Sequence, residues 1–442
     1  MGLSQLTFDP QLTRADRLVL QQLDRDISSY SSLDDGAAAN GTPTPISGAE
    51  TISDAEPVIA KLKAANDPTD ARFEPTVFTS YDLPDLLSSS GRLPGFARRL
   101  LSGYVSWARR AVRVETDVVF VTHLLLYFCT TLPSALFLFW NFSYVHAAVH
   151  VAMQASYMGP YTLLKHQHIH QNGVLAKRFA VVDHLFPYVM DPLMGHTWNS
   201  YYYHHVKHHH VEGNGPGDLS STIRYQRDSA LHFLMYLSRF FWLVWFDLPR
   251  YFWRNGRKTM AIKSGCWELG SYAAVYLGFR TNFAAALVVL GMPVVLLRVA
   301  MMVGNWGQHA FVDDEEPDSD FRSSITLIDV ASNRHCFNDG YHTSHHLNPL
   351  RHWRDHPTSF LSSRTDYATN SALVFHDIDF VMITVRLLLK DYDALARRLV
   401  PLGPVQTRMS LTQRAEMLRR HTRAFGEEEI RVKYKGWGKK FS

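Results

Sequence analysis

The sequence predicts an all-α integral membrane fold, with four transmembrane helices and a cytosolic helical cap that carries three histidine boxes. Three observations lead to this fold class: four long apolar stretches, basic residues that collect mainly at one end of each stretch, and histidines just outside them. The chain has 442 residues, of which 46% are hydrophobic, and these concentrate in the four stretches. The net charge of +4 is modest and says nothing about nucleic acid. The apolar stretches make a membrane the expected partner, and no nucleic acid is expected.

The first, second and fourth apolar stretches exceed the roughly 20 residues that a helix needs to cross a bilayer. The third is shorter and includes Lys263, whose side chain can extend to the headgroup layer. Each stretch is therefore predicted to be one transmembrane helix. The four stretches are Val118–Trp140, 142–164, 262–279 and 281–303.

A further segment, residues 230–253, is as long but carries Arg239, Asp247 and Arg250. We predict that it lies along the membrane interface, with its tryptophan and phenylalanine rings in the headgroup layer. A fifth crossing is the alternative for this segment.

Basic residues set the predicted orientation. They precede the first and third stretches and follow the second and fourth. Cytosolic loops carry the excess of lysine and arginine, so both termini and all three histidine boxes are predicted to be cytosolic. The C-terminal Lys439 and Lys440 match the dilysine retrieval signal of endoplasmic reticulum membrane proteins, an address that a receptor reads. We therefore expect a multi-pass protein of the endoplasmic reticulum membrane.

Composition divides the chain into four regions: a polar, partly disordered cytosolic N-terminal region, an approach to the membrane, the membrane domain, and a cytosolic helical region with the dilysine tail. Their bounds are 1–75, 76–116, 117–356 and 357–442. Short amphipathic helices are predicted near 12–23 and 56–64, and longer ones over 375–400 and 411–425.

Three histidine boxes lie just outside the apolar stretches, at residues 166–170, 204–210 and 342–346. Neutral imidazole is the commonest biological ligand of iron, copper and zinc. Because residues three and four apart share one face of a helix, each box can direct several rings at one place. The three boxes together predict a multi-histidine metal site at the membrane.

The second box has two possible registers. His205-x-x-His208-His209 places three rings on one α-helical face, and His205-x-x-x-His209-His210 is the alternative. The geometry of the α-helix favours the first register. His205 and His209 belong to both.

Two polar residues end the last apolar stretch. Asn305 and His309 are four apart and share a helix face at its cytosolic end. His166 and His170 have the same spacing at the end of the second stretch, so topology predicts that both pairs converge with the other two boxes. The predicted metal-binding residues are His166, His170, His205, His208, His209, His210, Asn305, His309, His342, His345 and His346.

The number of histidines bears on the metal. Zinc needs only three or four ligands, whereas eight or nine histidines suit two metal ions. Iron is predicted because an all-nitrogen, redox-capable site suits oxygen chemistry.

Two further histidines, His146 and His150, lie near the other end of the second stretch. His150 is about 24 Å along the helix from His166. We expect them to make hydrogen bonds inside the bundle; a role in lining a substrate path is the alternative.

The boxes resemble those of the membrane fatty acid desaturase superfamily, which shows HxxxH or HxxxxH, then HxxHH or HxxxHH, then a distant HxxHH. Asn305-x-x-x-His309 is similar to the additional Asn and His ligands of the stearoyl-CoA desaturases. The resemblance covers roughly residues 117–356. It implies four transmembrane helices, a cytosolic cap and a non-haem diiron centre that uses O2 and external electrons.

Two departures refine these expectations. The first box has three intervening residues where acyl-CoA desaturases have four, which argues against an acyl-CoA substrate. No His-Pro-Gly-Gly sequence of a fused cytochrome b5 domain occurs. The resemblance therefore implies a separate electron donor, such as cytochrome b5 and its reductase.

The expected function is that of a membrane-bound diiron oxidoreductase that uses O2 to desaturate a fatty acyl or lipid-like hydrocarbon chain. The box histidines and His309 would hold two iron ions, and Asn305 would bind one of them directly or through water. One alternative is a hydroxylase of the same family that acts on a lipid, sterol, carotenoid or polyketide. The other alternative, from a different class, is a non-catalytic zinc-binding membrane protein.

Overall fold

The protein is described by a computed structural model that covers residues 12–40, 54–79, 81–89, 94–328 and 330–434. Within these ranges the chain is mostly helical, as the sequence predicts. Two small sheets, one of two strands and one of three, are additions that the all-α prediction did not include. The dilysine pair at Lys439 and Lys440 lies outside the described residues.

The N-terminal part contains both of the short helices predicted there, and the first of them is longer than expected. Its elements are α1 (Arg14–Asn40), α2 (Glu56–Asn66), β1 (Thr76–Phe78), β2 (Tyr81–Asp82), α3 (Leu83–Ser89) and α4 (Gly95–Ala111). Helix α1 buries Val19, Leu20 and Leu23 in a cluster that also includes Tyr341 and Phe360. Apolar residues three and four apart form one face of this helix, so α1 packs against the C-terminal half of the chain.

Long helices cover the four apolar stretches of the central part. Its elements are α5 (Val118–Trp140), α6 (Tyr144–Gln171), α7 (Ala180–Leu193), a π-helical segment (Tyr202–His209), α8 (His210–Glu212), α9 (Ala230–Arg254), α10 (Lys258–Thr281), α11 (Phe283–Ala286), a π-helical turn (Leu287–Gly291) and α12 (Met292–Gln308). Among the described residues, α5 and the continuous helix Phe283–Gln308 are long and apolar enough to cross a membrane. Membrane crossing by α6 and α10 stays a prediction.

Helix α9 corresponds to the segment predicted to lie along the membrane interface. Its exposed side chains include Leu231, Leu234, Trp242, Phe246 and Trp253, whereas other positions of the helix are buried against its neighbours. An apolar exposed face that is rich in aromatic rings suits the boundary between headgroups and acyl chains. The interfacial position of α9 stays a prediction.

The C-terminal part combines short helices with a three-stranded sheet. Its elements are α13 (Asp320–Ser323), β3 (Ile325–Ile328), α14 (Ala331–His335), α15 (His342–Leu347), α16 (His356–Ser362), α17 (Arg364–Thr369), β4 (Leu373–His376), α18 (Phe380–Leu388), α19 (Tyr392–Arg398), β5 (Leu399–Val400), α20 (Gly403–Arg408), α21 (Leu411–Arg420) and α22 (Glu427–Lys433). In the sheet, β4 lies in the middle, parallel to β3 and antiparallel to β5.

The prediction of one helix over residues 375–400 is wrong. The run that begins at Leu373 is buried on both faces as the central strand β4, and Asp377 then adopts a positive φ of 51° that ends the extended backbone. Asp379 caps a new helix, because its side chain accepts a hydrogen bond from the backbone N–H of Met382 at 2.8 Å. The helix predicted over 411–425 is present as α21 and ends at Arg420.

Candidate metal centre

Four parts of the chain deliver histidines to one region. They are the last turns of α6, the π-helical segment with α8, the end of α12 and the short helix α15. Helix α6 ends at Asn172, whose left-handed conformation (φ 53°) closes the helix. The rings form two neighbouring groups, one of His166, His170, His205, His210 and His345 and the other of His209, His309, His342 and His346.

The second box adopts the register that the sequence analysis did not prefer. Residues 202–209 are π-helical, and in a π-helix the hydrogen bonds join residues five apart. Nε2 of His205 therefore lies 3.1 Å from Nε2 of His210. The prediction that His208 shares a face with His205 and His209 is corrected, because it assumed α-helical spacing.

His208 points into a separate environment. Its Nε2 accepts a hydrogen bond from the backbone N–H of Leu219 at 2.8 Å, and the ring is fully buried. His208 lies near His204 and Asp218, in a third cluster outside the two histidine groups. His208 therefore cannot replace His210 beside His205 in this conformation.

Four Nε2 atoms of the first group form a closed ring of short contacts. The successive distances are 3.0 Å from His166 to His345, 2.8 Å from His345 to His210, 3.1 Å from His210 to His205 and 2.9 Å from His205 to His166. Adjacent rings are nearly perpendicular, at 82–85°, and the opposite rings of His205 and His345 are parallel within 3°. This is an approximately square arrangement of nitrogen atoms.

The dimensions of this square fit a metal ion. The centre of a square with such edges lies about 2.1 Å from each corner, close to the bond of about 2.0–2.1 Å between a metal ion and an imidazole nitrogen. The ring of His170 lies 4.7–5.1 Å from each of the other four rings. Its Nε2 is buried without a hydrogen-bond partner in the structure, so the first group offers five nitrogen donors around one point.

The second group has four rings with nitrogens turned toward one another. Nε2 of His342 lies 3.3 Å from Nε2 of His309, and the rings of His342 and His346 are 4.5 Å apart. Nε2 of His209 and Nε2 of His346 are buried and have no hydrogen-bond partner among the described residues. A buried polar atom without a partner is costly, and a metal ion would satisfy both of these nitrogens.

Polar groups behind the second group fix the orientation of its rings. Nδ1 of His209 lies 2.7 Å from the carboxylate of Asp218, and Nδ1 of His309 lies 2.7 Å from the carbonyl oxygen of Ser323. Nδ1 of His346 faces Asp320 at 3.6 Å. A proton held on Nδ1 leaves Nε2 as the free donor atom, and such partners orient the ligands of metal sites. Sequence reasoning missed all three, because no spacing rule connects them to the boxes.

Burial favours the neutral form of three histidines of the first group. The pKa values of His205, His210 and His345 lie well below the ordinary value. Burial is the larger cause, and the neighbouring imidazoles lower these pKa values further. For Asp218 burial acts in the opposite direction and favours the neutral acid, but His209 and His208 hold its pKa well below the ordinary value. Neutral rings have a free lone pair for a metal ion, and the carboxylate beside them is ionised.

Contacts with strand β3 and with the N-terminal helix α1 hold the third box in place. The backbone N–H of Leu327 in β3 donates to the carbonyl oxygen of Gly340 at 2.7 Å, and a Cβ at Gly340 would overlap the backbone carbonyl of Leu327. The hydroxyl of Tyr341 donates to Asp16 of α1 at 2.7 Å. Asp16, 1% exposed, also accepts from the side chain of Asn333 at 3.0 Å. The N-terminal helix thus supports the residue that precedes His342.

Asn305 lies one turn before His309 and close to the second group. Its side-chain nitrogen donates to the carbonyl oxygen of Ser220 at 2.9 Å and to the hydroxyl of Tyr236 at 2.7 Å. The side-chain oxygen of Asn305 is therefore its available acceptor. Binding of a metal ion by Asn305, directly or through water, stays a prediction.

The remaining histidines singled out in the sequence lie outside both groups. The rings of His146 and His150 both lie 2.8 Å from the hydroxyl of Ser134, inside the helix bundle as expected. Nε2 of His168 lies 3.0 Å from the carbonyl oxygen of Asp183. His204 lies with His208 and Asp218.

A cavity of about 310 Å³ opens onto both histidine groups. His166, His205, His209 and His342 are among its lining residues. The rest of the wall is mostly apolar and comes from α6, α9 and α12, with Met158, Leu163, Phe240, Leu297, Ala300, Met301 and Met302 among the lining residues. The cavity can therefore hold an aliphatic chain beside the imidazoles.

Replacement of Asp218 by asparagine tests the partner of His209. The variant keeps the shape of the side chain but loses the charge that favours a proton on Nδ1 of His209. We expect metal affinity to fall about ten- to hundredfold, which is the usual effect of losing a partner that orients a ligand. Metal content measured against free metal concentration checks this. Asp393→Asn changes an exposed carboxylate and serves as the control; equal affinity in both variants would contradict the assignment.

Comparison with known proteins agrees with this geometry. The family model described as fatty acid desaturase matches residues 122–376, which is more than half of the chain. The matched range includes all three boxes, Asn305 and His309. No curated protein and no solved structure matches the chain. The chain belongs to the fatty acid desaturase family.

Proposed function

We propose that the protein is a membrane-bound non-haem diiron oxidoreductase that uses O2 to desaturate a fatty acyl or lipid-like hydrocarbon chain. One observation carries this proposal: two adjacent groups of five and four histidines open onto one largely apolar cavity. Donors of this kind suit redox metals, and the apolar wall suits a hydrocarbon. Membership of the fatty acid desaturase family supports the same reaction class.

We assign the histidines to two proposed iron ions according to the two groups that their nitrogen atoms form. His166, His170, His205, His210 and His345 would hold the first ion. His209, His309, His342 and His346 would hold the second, with Asn305 contributing directly or through water. Iron bound there would supply the O2-dependent chemistry that removes hydrogen from an unactivated C–H bond.

The protein's own part is to position the chain and to keep the site dry. Side chains such as Leu297 and Met301 exclude water from the cavity and leave an aliphatic chain little freedom to move. Asp218 and the carbonyl of Ser323 keep the protons of His209 and His309 on Nδ1. These contacts hold the nitrogen donors in place before any substrate arrives.

The geometry also bears on the alternative of a non-catalytic zinc site. Structural zinc is almost always held by four ligands in a tetrahedron. The first group offers five nitrogens, four of them in an approximate square. This arrangement favours an ion with six-coordinate preferences over zinc.

The proposed location is the endoplasmic reticulum membrane, with four crossings and both termini in the cytosol. Two helices long and apolar enough to cross a bilayer support a membrane position, as does the exposed aromatic face of α9. The reaction also consumes electrons, which an external carrier such as cytochrome b5 with its reductase would supply. In this arrangement the carrier docks on the cytosolic cap.

Metal analysis tests the diiron proposal. Protein purified in detergent and loaded anaerobically with iron should contain close to two irons per chain, because two separate donor groups are present. Mass spectrometry of lipids from cells with and without the gene then identifies the product, an alkene for a desaturase or an alcohol for a hydroxylase. One zinc per chain with negligible iron after loading would refute the proposal.

A further inference from the structure

The cavity beside the histidines contains one carboxyl group whose role the metal centre does not explain. Along α12 the lining extends from Gln308 to Leu297, about 16 Å at 1.5 Å per residue. Asp339, three residues before His342 in the sequence, is also among the residues that line this cavity. The residue is partly exposed.

The buried carboxylates Asp218 and Glu268 have hydrogen-bond partners, whereas the carboxyl of Asp339 has none among the described residues. Asp218 contacts His209 and Ser220, and Glu268 contacts Thr197 and Arg298. Among the described residues, no N–H or O–H group donates a hydrogen bond to the carboxyl oxygens of Asp339, and burial alone accounts for its altered acidity.

An unpaired carboxyl in an apolar cavity is costly for the folded protein. Burial raises the pKa of Asp339 to about 7, because a carboxylate without a partner is poorly solvated there. Within the part of the chain that the structure describes, the carboxyl gains no hydrogen bond or ion pair in return. Groups that destabilise a fold without a structural role are characteristic of binding and active sites.

We propose that Asp339 binds a hydrogen-bond donor on the substrate chain, a hydroxyl or an amine close to the carbon that reacts. The inference rests on the proposed function, since it assumes that the cavity holds the substrate. It names the substrate class as an aliphatic chain with a polar donor group, in preference to a plain hydrocarbon chain. Tyr201 lines the same cavity, and its hydroxyl is a second polar group that such a substrate could contact.

Asp339 would distinguish between substrates because its carboxyl group is a hydrogen-bond acceptor. A chain with a hydroxyl or amine would give the carboxyl of Asp339 the donor that the protein lacks. A plain chain would leave the same carboxyl unpaired and buried beneath it. Sites built to hydrogen-bond a substrate group discriminate strongly against analogues without that group, because their own polar atoms are then left without a partner.

Binding of three simple probes tests the proposal on the iron-loaded full-length protein in detergent. The probes are dodecanol, dodecylamine and dodecane, and the readout is the apparent Kd from the rise in unfolding temperature with probe concentration. Asp339→Leu should weaken binding of the alcohol and the amine about ten- to one-hundredfold, the range for a hydrogen bond to a charged group. Binding of dodecane should not weaken.

Asp339→Asn provides a second, nearly isosteric variant if the leucine variant does not fold. It retains an acceptor for the alcohol but lacks a negative charge, so affinity for dodecylamine should fall while affinity for dodecanol is largely kept. Asp393→Asn, an exposed carboxylate, should bind all three probes as the wild type does. Wild-type affinity for dodecylamine in Asp339→Asn, or for both polar probes in Asp339→Leu, would overturn the proposal.

The same experiment separates this inference from the proposed function. A protein that holds no iron, or oxidises no chain, yet discriminates among the probes through Asp339 would lose the diiron proposal and keep the binding site. A protein that holds two irons and oxidises plain and polar chains equally, with no effect of Asp339, would keep the diiron proposal and lose the inference.

Discussion

Replacing His345 by alanine is expected to abolish product formation. Nε2 of His345 lies 3.0 Å from that of His166 and 2.8 Å from that of His210, so the variant loses one corner of the square and two of its four edges. The loss of activity should exceed the roughly ten- to hundredfold loss that follows removal of a partner behind a ligand. Product is measured by mass spectrometry of lipids, together with iron per chain.

The variant should still enter the membrane and fold, because the long helices do not depend on the metal centre for their apolar packing. His146→Ala is the matched control on α6. Its ring contacts Ser134, and along the helix it is about 30 Å from His166 at 1.5 Å per residue. Activity should survive in this control. If His146→Ala were inactive and His345→Ala active, the assignment of the first box would be wrong.

A comparison of His210→Ala with His208→Ala is expected to give the second large effect. The two histidines are two positions apart, and both carry an imidazole that could bind a metal ion. Of the two, only His210 has its Nε2 within 3.1 Å of two other ring nitrogens. His210→Ala should lose most of the iron and the activity. His208→Ala should retain iron, with a smaller loss in affinity of about tenfold. His208 lies beside Asp218, and it is Asp218 that contacts Nδ1 of His209.

Iron per chain and product formation, measured for both variants side by side, decide the register. Retention of iron by His210→Ala together with its loss in His208→Ala would restore the α-helical register of the second box. Equal losses in both would mean that the π-helical segment does not persist in the metal-loaded protein.

The long helices could be predicted because their signal is local. Stretches such as Val118–Trp140 are apolar over their whole length, and the helix α5 has the same bounds. The meeting of the boxes could also be anticipated, since alternating helices bring the ends of α6 and α12 to one side. The structure brings three boxes and His309 together, as the topology predicts.

Other features depend on contacts between distant residues, and sequence patterns did not reveal them. The π-helical segment differs from an α-helix by one residue in its hydrogen bonding, which no composition rule detects in a run of seven residues with five histidines. Strands β3, β4 and β5 are two to four residues long and gain their partners only from the fold. The positions of Asp218 and Asp339 likewise follow from loops that place them beside the boxes.

The contact between Asp16 and Tyr341 has a consequence for biosynthesis. The two residues are 325 positions apart, and a ribosome produces the N-terminal one first. Helix α2 can cover part of the apolar face of α1 early, but the rest stays exposed until the third box has been translated. A polypeptide released before residue 341 can therefore neither bury α1 completely nor assemble the histidines.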